Sequence, residues 1–139
     1  MIREFSAGGV CVRRMRGRDY VAAVRVKGGT VLALPKGHID AGESAAQAAR
    51  RELREEAGVD GELVEKLGDV KYWYSRDGDR VMKIVTFFLF RYRSGSVADH
   101  DHEVDSAEWV PLDEAPRLLA YRGEKQMAEA ALSSLSSGR

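Results

Sequence analysis

The chain has 139 residues, enough for one domain with a hydrophobic core and too few for two. Hydrophobic residues make up 44% of it and charged residues 32%, which excludes a disordered composition and predicts a single globular domain over residues 1–139. Lysine plus arginine equals aspartate plus glutamate at 22 each, so no global charge attracts the chain to nucleic acid or anionic lipid. We therefore expect neither a nucleic-acid partner nor a membrane partner.

Cys11 is the only cysteine, so no disulfide can form within the chain, which is typical of a reducing compartment. It lies in a strand-like run at residues 9–12, where a small buried hydrophobic residue is expected rather than a catalytic thiol. The first residues lack a secretory pattern, and no apolar run approaches membrane length. These features predict a cytoplasmic location.

The first part of the chain predicts strands at residues 5–13, 20–26 and 31–34, separated by turn-rich sequence. Pro35 and Gly37 end the third strand and are expected to open a loop. Residues 43–57 are mostly good helix formers, and Gly58 stands where a helix C-terminal glycine belongs.

The second part begins with a predicted hairpin, in which strands at 62–75 and 80–93 flank an Asp77-Gly78 turn. The second of these strands is apolar on both faces, which predicts that it is covered on both sides, and Lys83 interrupts one face. A polar loop at 94–105, a strand at 108–110, helices at 112–119 and 124–135 and a frayed end at 136–139 follow. The order predicts an α/β fold, an α/β/α sandwich with a mixed β-sheet.

Three carboxylates lie on one face of the first predicted helix. Glu52, Glu55 and Glu56 fall at positions i, i+3 and i+4, with neighbouring Cβ atoms about 5–6 Å apart. Like charges at this spacing repel, and a solvated acidic face is the simplest interpretation. Oxygen ligands at this density are also what Mg²⁺ or Mn²⁺ prefers when it shares its coordination shell with substrate phosphates.

The loop before this helix favours the second interpretation. Gly37 and Gly42 let the backbone approach a ligand closely, and Lys36 can meet a phosphate as a point charge. Ordinary turn chemistry alone explains the glycines, but the loop and the carboxylates together predict a metal-and-phosphate site at residues 37–59.

These residues keep a longer fixed spacing. It comprises Gly37, Glu43, Arg51-Glu52-Leu53, Glu55-Glu56 and Gly58-Val59, which matches the Nudix box at every defined position. Seven specified identities at roughly 7% background each give a chance match of about 10⁻⁸. The chain therefore resembles the Nudix hydrolases over the box at 37–59, and the order of strands and helices around the box is similar to the Nudix fold. The resemblance implies Mg²⁺-dependent hydrolysis of a phosphoanhydride bond in a nucleotide-type substrate.

The resemblance also implies roles for single residues. Glu52, Glu55 and Glu56 correspond to metal ligands, with the carbonyl of Gly37 as a fourth, for Mg²⁺ or for Mn²⁺ in its place. Among the catalytic candidates, Glu52 is our first choice as general base and Glu55 the second. Glu103, in the polar loop, corresponds to an acid that some members use outside the box, although it is equally well interpreted as one of several acids on a solvated loop.

Glu43 and Arg51 correspond to a charge-assisted pair that fixes the loop to the helix. The loop also contains His100 and His102, which could bind a transition metal. Two loop histidines one residue apart are usually solvated, so we do not favour a zinc site.

Sequence outside the box is similar to the diadenosine polyphosphate hydrolases, notably at residues 34–43, although Ala41 stands where that subgroup often has proline. The similarity implies candidate substrate contacts at Lys36, His38, Tyr72, Tyr74, Lys83 and Tyr121. In the subgroup, aromatic rings stack the adenine and basic residues hold the polyphosphate. We therefore favour a dinucleoside polyphosphate substrate such as diadenosine tetraphosphate, cleaved to ATP and AMP.

Two alternatives stay open. A nucleoside-triphosphate pyrophosphatase acting on damaged nucleotides such as 8-oxo-dGTP would carry the same box. A non-catalytic nucleotide-sensing module could keep the fold, but the presence of all three helix carboxylates argues against it.

Overall fold

The computed structural model describes residues 1–138. In chain order its elements are β1 (Ile2–Met15), β2 (Arg18–Val26), β3 (Val31–Ala33), β4 (Lys36–His38), α1 (Ala45–Ala57), β5 (Val59–Arg76), β6 (Asp79–Gly95), β7 (Ser106–Pro111), α2 (Ala115–Leu118) and α3 (Arg122–Ser136), with a 3₁₀ turn at Val97–Asp99 before β7. None of the helices in residues 1–138 is both long and apolar enough to cross a membrane.

The seven strands form one mixed sheet. Its main path is β3-β2-β1-β6-β5, while β4 pairs with β1 and β7 pairs with β2. β1 and β6 run parallel, and the other strand pairs within residues 1–138 are antiparallel. Helix α1 covers one face and helices α2 and α3 cover the other. The predicted α/β/α sandwich with a mixed sheet is confirmed.

Strand β6 contributes side chains to both layers of the core. Val85, Phe87 and Leu89 pack against α3, while Phe88 and Phe90 pack on the α1 side. The two-faced strand predicted from the sequence is therefore confirmed over residues 85–90. Nearer the turn, Val81 is buried, whereas Met82 and Ile84 on the other face are only partly buried.

Cys11 lies in the core layer on the α1 side and has no exposed surface. Burial raises the pKa of its thiol to about 12. The expectation of a buried hydrophobic cysteine rather than a reactive thiol is confirmed.

Local sequence sets both ends of α1. The hydroxyl of Ser44 accepts the N–H of Gln47 at 3.1 Å, and the Gln47 side chain accepts the N–H of Ser44 at 2.9 Å. This capping box starts the helix at Ala45, two residues later than predicted. Gly58 ends it in the left-handed conformation, with φ 75°, as expected for a C-terminal glycine.

Three other expectations need correction or completion. Pro35 and Gly37 were expected to open a loop, but Lys36–His38 forms strand β4, which pairs with β1 through Gly37 opposite Ala7 and so holds this segment on the sheet. The helix predicted at 112–119 is limited to Ala115–Leu118. In the predicted frayed end at 136–139, Ser136 is the last helical residue, and position 139 lies outside the described residues.

Candidate active site

Gly37 and Glu52 approach each other closely where β4 lies under α1. A Cβ atom on Gly37 would be 2.3 Å from Cδ of Glu52, so only glycine leaves room for this carboxylate. Glu52 is 7% exposed. Desolvation raises its pKa above the usual value, while the guanidinium of Arg51 acts in the opposite direction.

Glu56 lies one turn further along the same face of α1. Its Oε1 accepts the backbone N–H of Lys36 at 3.1 Å, which joins the helix to the first residue of β4. Burial raises the pKa of Glu56 to about 7, and the neighbouring charge of Glu52 adds to this effect. Glu52 and Glu56 therefore face β4, whereas about half of the Glu55 side chain is exposed.

Arg51 binds the box carboxylates together. Its Nε and Nη2 donate to the two oxygens of Glu43 at 2.7 and 3.0 Å, the paired geometry expected from the resemblance. Its Nη1 donates to Glu52 at 2.6 Å and to Glu55 at 3.1 Å, and Nη2 also donates to the carbonyl of His38 at 2.9 Å. The guanidinium lowers the pKa of Glu43 to about 2. The loop at 38–43 is thus fixed to the helix by a single side chain.

The three helix carboxylates fit a hard divalent cation, although their side chains are not arranged around a common point. Within residues 1–138, no three His, Cys, Asp or Glu side chains form a ready cage for a metal ion. The reason lies in their partners, because Glu52 and Glu55 are turned towards Arg51 and Glu56 towards the Lys36 amide. Burial is the main cause of the raised pKa values of Glu52 and Glu56, and a bound cation would stabilise their anionic forms.

The polar loop before β7 approaches the same helix. The N–H of Asp101 donates to the carbonyl of Glu55 at 2.9 Å, and Asp101 in turn accepts the N–H of Glu103 at 3.0 Å. Glu103 is exposed, and its charge contributes to the raised pKa of Glu52, so it lies on the carboxylate side of the site. A ring nitrogen of His100 lies 2.7 Å from the Asp101 carbonyl oxygen.

Four of the six candidate substrate contacts surround one cavity. Lys36, Tyr72, Lys83 and Tyr121 line a space of about 180 Å³ near the N-terminal end of α3. The ammonium of Lys36 lies 5.3 Å from the centre of the Tyr121 ring. Two cations and two aromatic rings therefore line this cavity, and one of the cations, Lys36, also holds Glu56 through its backbone N–H.

The other two candidates do not line this cavity. Tyr74 shares a strand face with Tyr72, but two residues of β-strand advance the chain by about 7 Å, beyond the end of the cavity. Its ring is 38% exposed, and its hydroxyl donates to the carboxylate of Glu4. His38 is exposed and contributes its backbone carbonyl to Arg51 instead.

Glu124, which was not predicted as a site residue, lies in the first turn of α3 and has no exposed surface. Its Oε1 accepts the N–H of Leu34 at 2.7 Å, and its Oε2 lies 2.8 Å from Nζ of Lys36. A signal was available, because Met127, Ala128 and Ala131 follow at helical spacing and place Glu124 on the buried face. Its partners could not be inferred from that periodicity.

The NUDIX domain model matches residues 3–131, and the chain belongs to the NUDIX domain family. The family membership expected from the box is confirmed. The chain is 41% identical over 136 residues to MutT4, a candidate mutator protein of Mycobacterium tuberculosis, covering 94% of this chain and 55% of that protein. It is 34% identical over 94 residues to an 8-oxo-(d)GTP phosphatase of Mycolicibacterium smegmatis, covering 68% of this chain and 28% of that protein.

Among solved structures, a binary complex of the Ap4A hydrolase of C. elegans superimposes with a TM-score of 0.72. The match covers 96% of this chain and 98% of that one at 22% identity, which establishes a common fold. The two sequence relatives are longer, so this chain spans about half of the first and less than a third of the second.

Proposed function

We propose that this protein is a Mg²⁺-dependent pyrophosphohydrolase that cleaves a phosphoanhydride bond in a nucleotide substrate. The observation that carries the proposal is the double role of Lys36. Its backbone N–H binds Glu56 of the carboxylate face, and its ammonium lines the cavity that also contains Lys83 and two tyrosines. One residue thus connects a group of candidate metal ligands to a pocket suited to phosphate and base.

Each site residue has a separate role in this proposal. Lys36 and Lys83 hold and neutralise substrate phosphates, and Glu52 accepts a proton from the attacking water, with Glu55 or Glu103 as the alternative base. The Arg51–Glu43 pair fixes the loop to the helix, so the carboxylate of Glu52 stays close to Gly37. Glu52, Glu55, Glu56 and the Gly37 carbonyl would hold Mg²⁺, or Mn²⁺ in its place, and the ion would supply positive charge to the phosphate oxygens.

For the substrate we favour a dinucleoside polyphosphate such as diadenosine tetraphosphate, yielding ATP and AMP. Tyr72 and Tyr121 offer aromatic faces for an adenine, and the two lysines suit a long polyphosphate chain. At about 180 Å³, the cavity has room for a base-sized group, so the second nucleoside extends outside it.

A second candidate substrate is a damaged nucleoside triphosphate such as 8-oxo-dGTP. It is supported by the names of two relatives, a candidate mutator protein and an 8-oxo-(d)GTP phosphatase. The expected cytoplasmic location and the expected absence of a nucleic-acid partner stay predictions.

A substrate panel tests these assignments. Dinucleoside polyphosphates, ordinary and oxidised nucleoside triphosphates and ADP-ribose are each incubated with Mg²⁺, with Mn²⁺ and with a chelator, and the products are separated by chromatography. The proposal predicts metal-dependent cleavage with the highest kcat/KM for diadenosine tetraphosphate. Preference for 8-oxo-dGTP would select the second candidate, and no cleavage of any compound would favour a nucleotide-sensing module.

A pair of lysine variants tests the cavity. Lys83→Met should raise KM for the preferred substrate about tenfold, because a phosphate contact is lost. Lys66→Met is the matched control, since Lys66 is exposed further along the same β5–β6 hairpin, opposite Phe88 rather than Lys83, and should leave KM unchanged. Equal effects of the two substitutions would remove the cavity from the substrate site.

A further inference from the structure

Glu124 is a buried carboxylate that the proposed mechanism does not use. It lies on α3, at the opposite side of the sheet from α1, and none of its surface is exposed. Burying a carboxylate is unfavourable unless the protein supplies donors or a counter-charge. Its surroundings are therefore expected to explain why a charged side chain occupies this position.

Each oxygen of Glu124 has a different contact in the segment that carries the site. Oε1 accepts the N–H of Leu34 at 2.7 Å, which fixes the backbone two residues before Lys36. Oε2 lies 2.8 Å from Nζ of Lys36, an ion pair that lacks the direction of a full hydrogen bond. Glu124 thus constrains both the backbone leading into β4 and the end of the Lys36 side chain.

The same ammonium also faces the cavity. About a quarter of the Lys36 side chain is exposed, and its Nζ lies over the ring of Tyr121. The hydroxyl of Tyr72, which lines the same space, is buried and has no hydrogen-bond partner within residues 1–138. The cavity therefore contains an ammonium group fixed by an ion pair and a hydroxyl group without a hydrogen-bond partner. This combination suits an incoming acceptor such as a phosphate oxygen.

We propose that Glu124 is a positioning residue that holds the Lys36 ammonium at the cavity in the orientation that receives a substrate phosphate. This inference rests on the proposed function and extends it to a residue of α3. A free lysine side chain has several rotatable bonds and loses that freedom when it binds a phosphate. Glu124 orders the side chain beforehand, so less freedom is lost on binding.

Glu124→Gln tests the proposal. The amide oxygen of glutamine can still accept the N–H of Leu34, while the charge that holds Lys36 is lost. KM for the preferred nucleotide should rise about tenfold with kcat within about twofold, the scale expected from the rotamer freedom of one lysine. Glu129→Gln, on the exposed face of the same helix, is the matched control and should change neither constant. An unchanged or lowered KM in Glu124→Gln would overturn the positioning role.

A double-mutant cycle separates positioning from general support of the fold. Because Glu124 acts through Lys36, kcat/KM of the Lys36→Met/Glu124→Gln variant should equal that of Lys36→Met alone. Additive losses would show that Glu124 acts by another route. If Glu124→Gln does not fold, Glu124→Asp replaces it, because aspartate keeps the charge but withdraws it by one methylene, and it should give a smaller rise in KM.

A binding measurement distinguishes failure of this inference from failure of the proposed function. If the wild-type protein cleaves no compound of the panel, calorimetry with inorganic tripolyphosphate replaces kinetics. Positioning predicts a Kd about tenfold weaker for Glu124→Gln than for wild type and for Glu129→Gln. Equal affinities would refute the role of Glu124, whatever the outcome of the panel.

Discussion

A single guanidinium organises three of the four carboxylates of the box. Arg51 donates to Glu43, Glu52, Glu55 and a backbone carbonyl, so its loss would leave several acceptors without a partner. The pKa of Arg51 is raised by these acidic neighbours, Glu43 first. Glu43 is the neighbour with the best geometry, since both of its oxygens are bound.

The Glu43 pair should make stability depend on acidic pH. Arg51 lowers the pKa of Glu43 from its usual 4.5 to about 2, so the folded state binds a proton less readily than the unfolded state does. The stabilisation is complete above about pH 4.5 and is lost as the pH falls towards 2. Melting temperatures of wild type and Glu43→Gln should therefore differ at neutral pH and converge across this window. A gap that stays constant down to pH 2 would contradict the pair.

Glu56→Gln should separate activity from stability. Turnover should fall by orders of magnitude, since a proposed metal ligand loses its charge. The melting temperature at about pH 8 should stay near that of wild type or rise, because glutamine can still accept the Lys36 N–H and repulsion from Glu52 is relieved. Circular-dichroism melts and product chromatography measure the two effects. Unchanged turnover would refute the ligand role.

At the residue level, spacing in the sequence was sufficient to select the box residues. It could not predict that Glu52 and Glu56 face β4 while Glu55 faces solvent, because that depends on where the sheet lies against α1. The sequence also could not tell which of the two tyrosines on β5 lines the cavity. Strand alternation placed Tyr72 and Tyr74 on one face, but Tyr72 lines the cavity with the two lysines whereas Tyr74 lines a separate space beside Trp73.

Among the elements, helix α1 requires a glycine at its C-terminal end. Gly58 has φ 75°, and a Cβ atom there would lie 2.3 Å from the carbonyl oxygen of Ser96. The segment after β6 therefore packs directly against the helix terminus. The same segment leads to the Asp101 N–H that donates to Glu55, so this contact also supports the site.

Gly58→Ala should destabilise the protein by more than about 2 kcal/mol, since the left-handed conformation costs about 1–2 kcal/mol for alanine and the backbone contact adds to it. Gly78→Ala is the matched control, because Gly78 has φ 84° but nothing within 4 Å of its would-be Cβ. That control should cost only the conformational part. Urea unfolding curves measure both, and equal losses would show that the Ser96 contact does not matter.

The long elements were predictable because each combines a clear period with a clear terminus, as in α1 and in the hairpin at Asp77-Gly78. Strand β4 was not, because Lys36-Gly37-His38 has the composition of a turn and becomes a strand only by pairing with β1. The length of helix α2 was overestimated, again because tertiary contacts decide the conformation of the residues before it. The backbone N–H of Leu112 donates to the carbonyl of Asp19, and residues 112–114 form a turn before the helix instead of its first turn.

For the whole molecule, Cys11 provides a probe of unfolding. The thiol is fully buried and its pKa is raised to about 12, so at about pH 8 it should be protonated and inaccessible. A thiol reagent should label the native protein very slowly, and labelling should accelerate in urea together with the loss of circular dichroism. Rapid labelling without denaturant would mean that the sheet opens locally near residue 11.

The parallel pairing of β1 with β6 joins residues 2–12 to residues 81–91, about 80 positions away along the chain. A ribosome adds roughly 5–20 residues per second, so the first strand waits on the order of 4–16 seconds before its partner has been made. During this interval β1 can pair with β2 and β4, but the edge that later pairs with β6 has no partner. The central pairing of the sheet therefore forms only after β6 has been made, and until then this edge of β1 can be shielded by chaperones that bind unpaired strands.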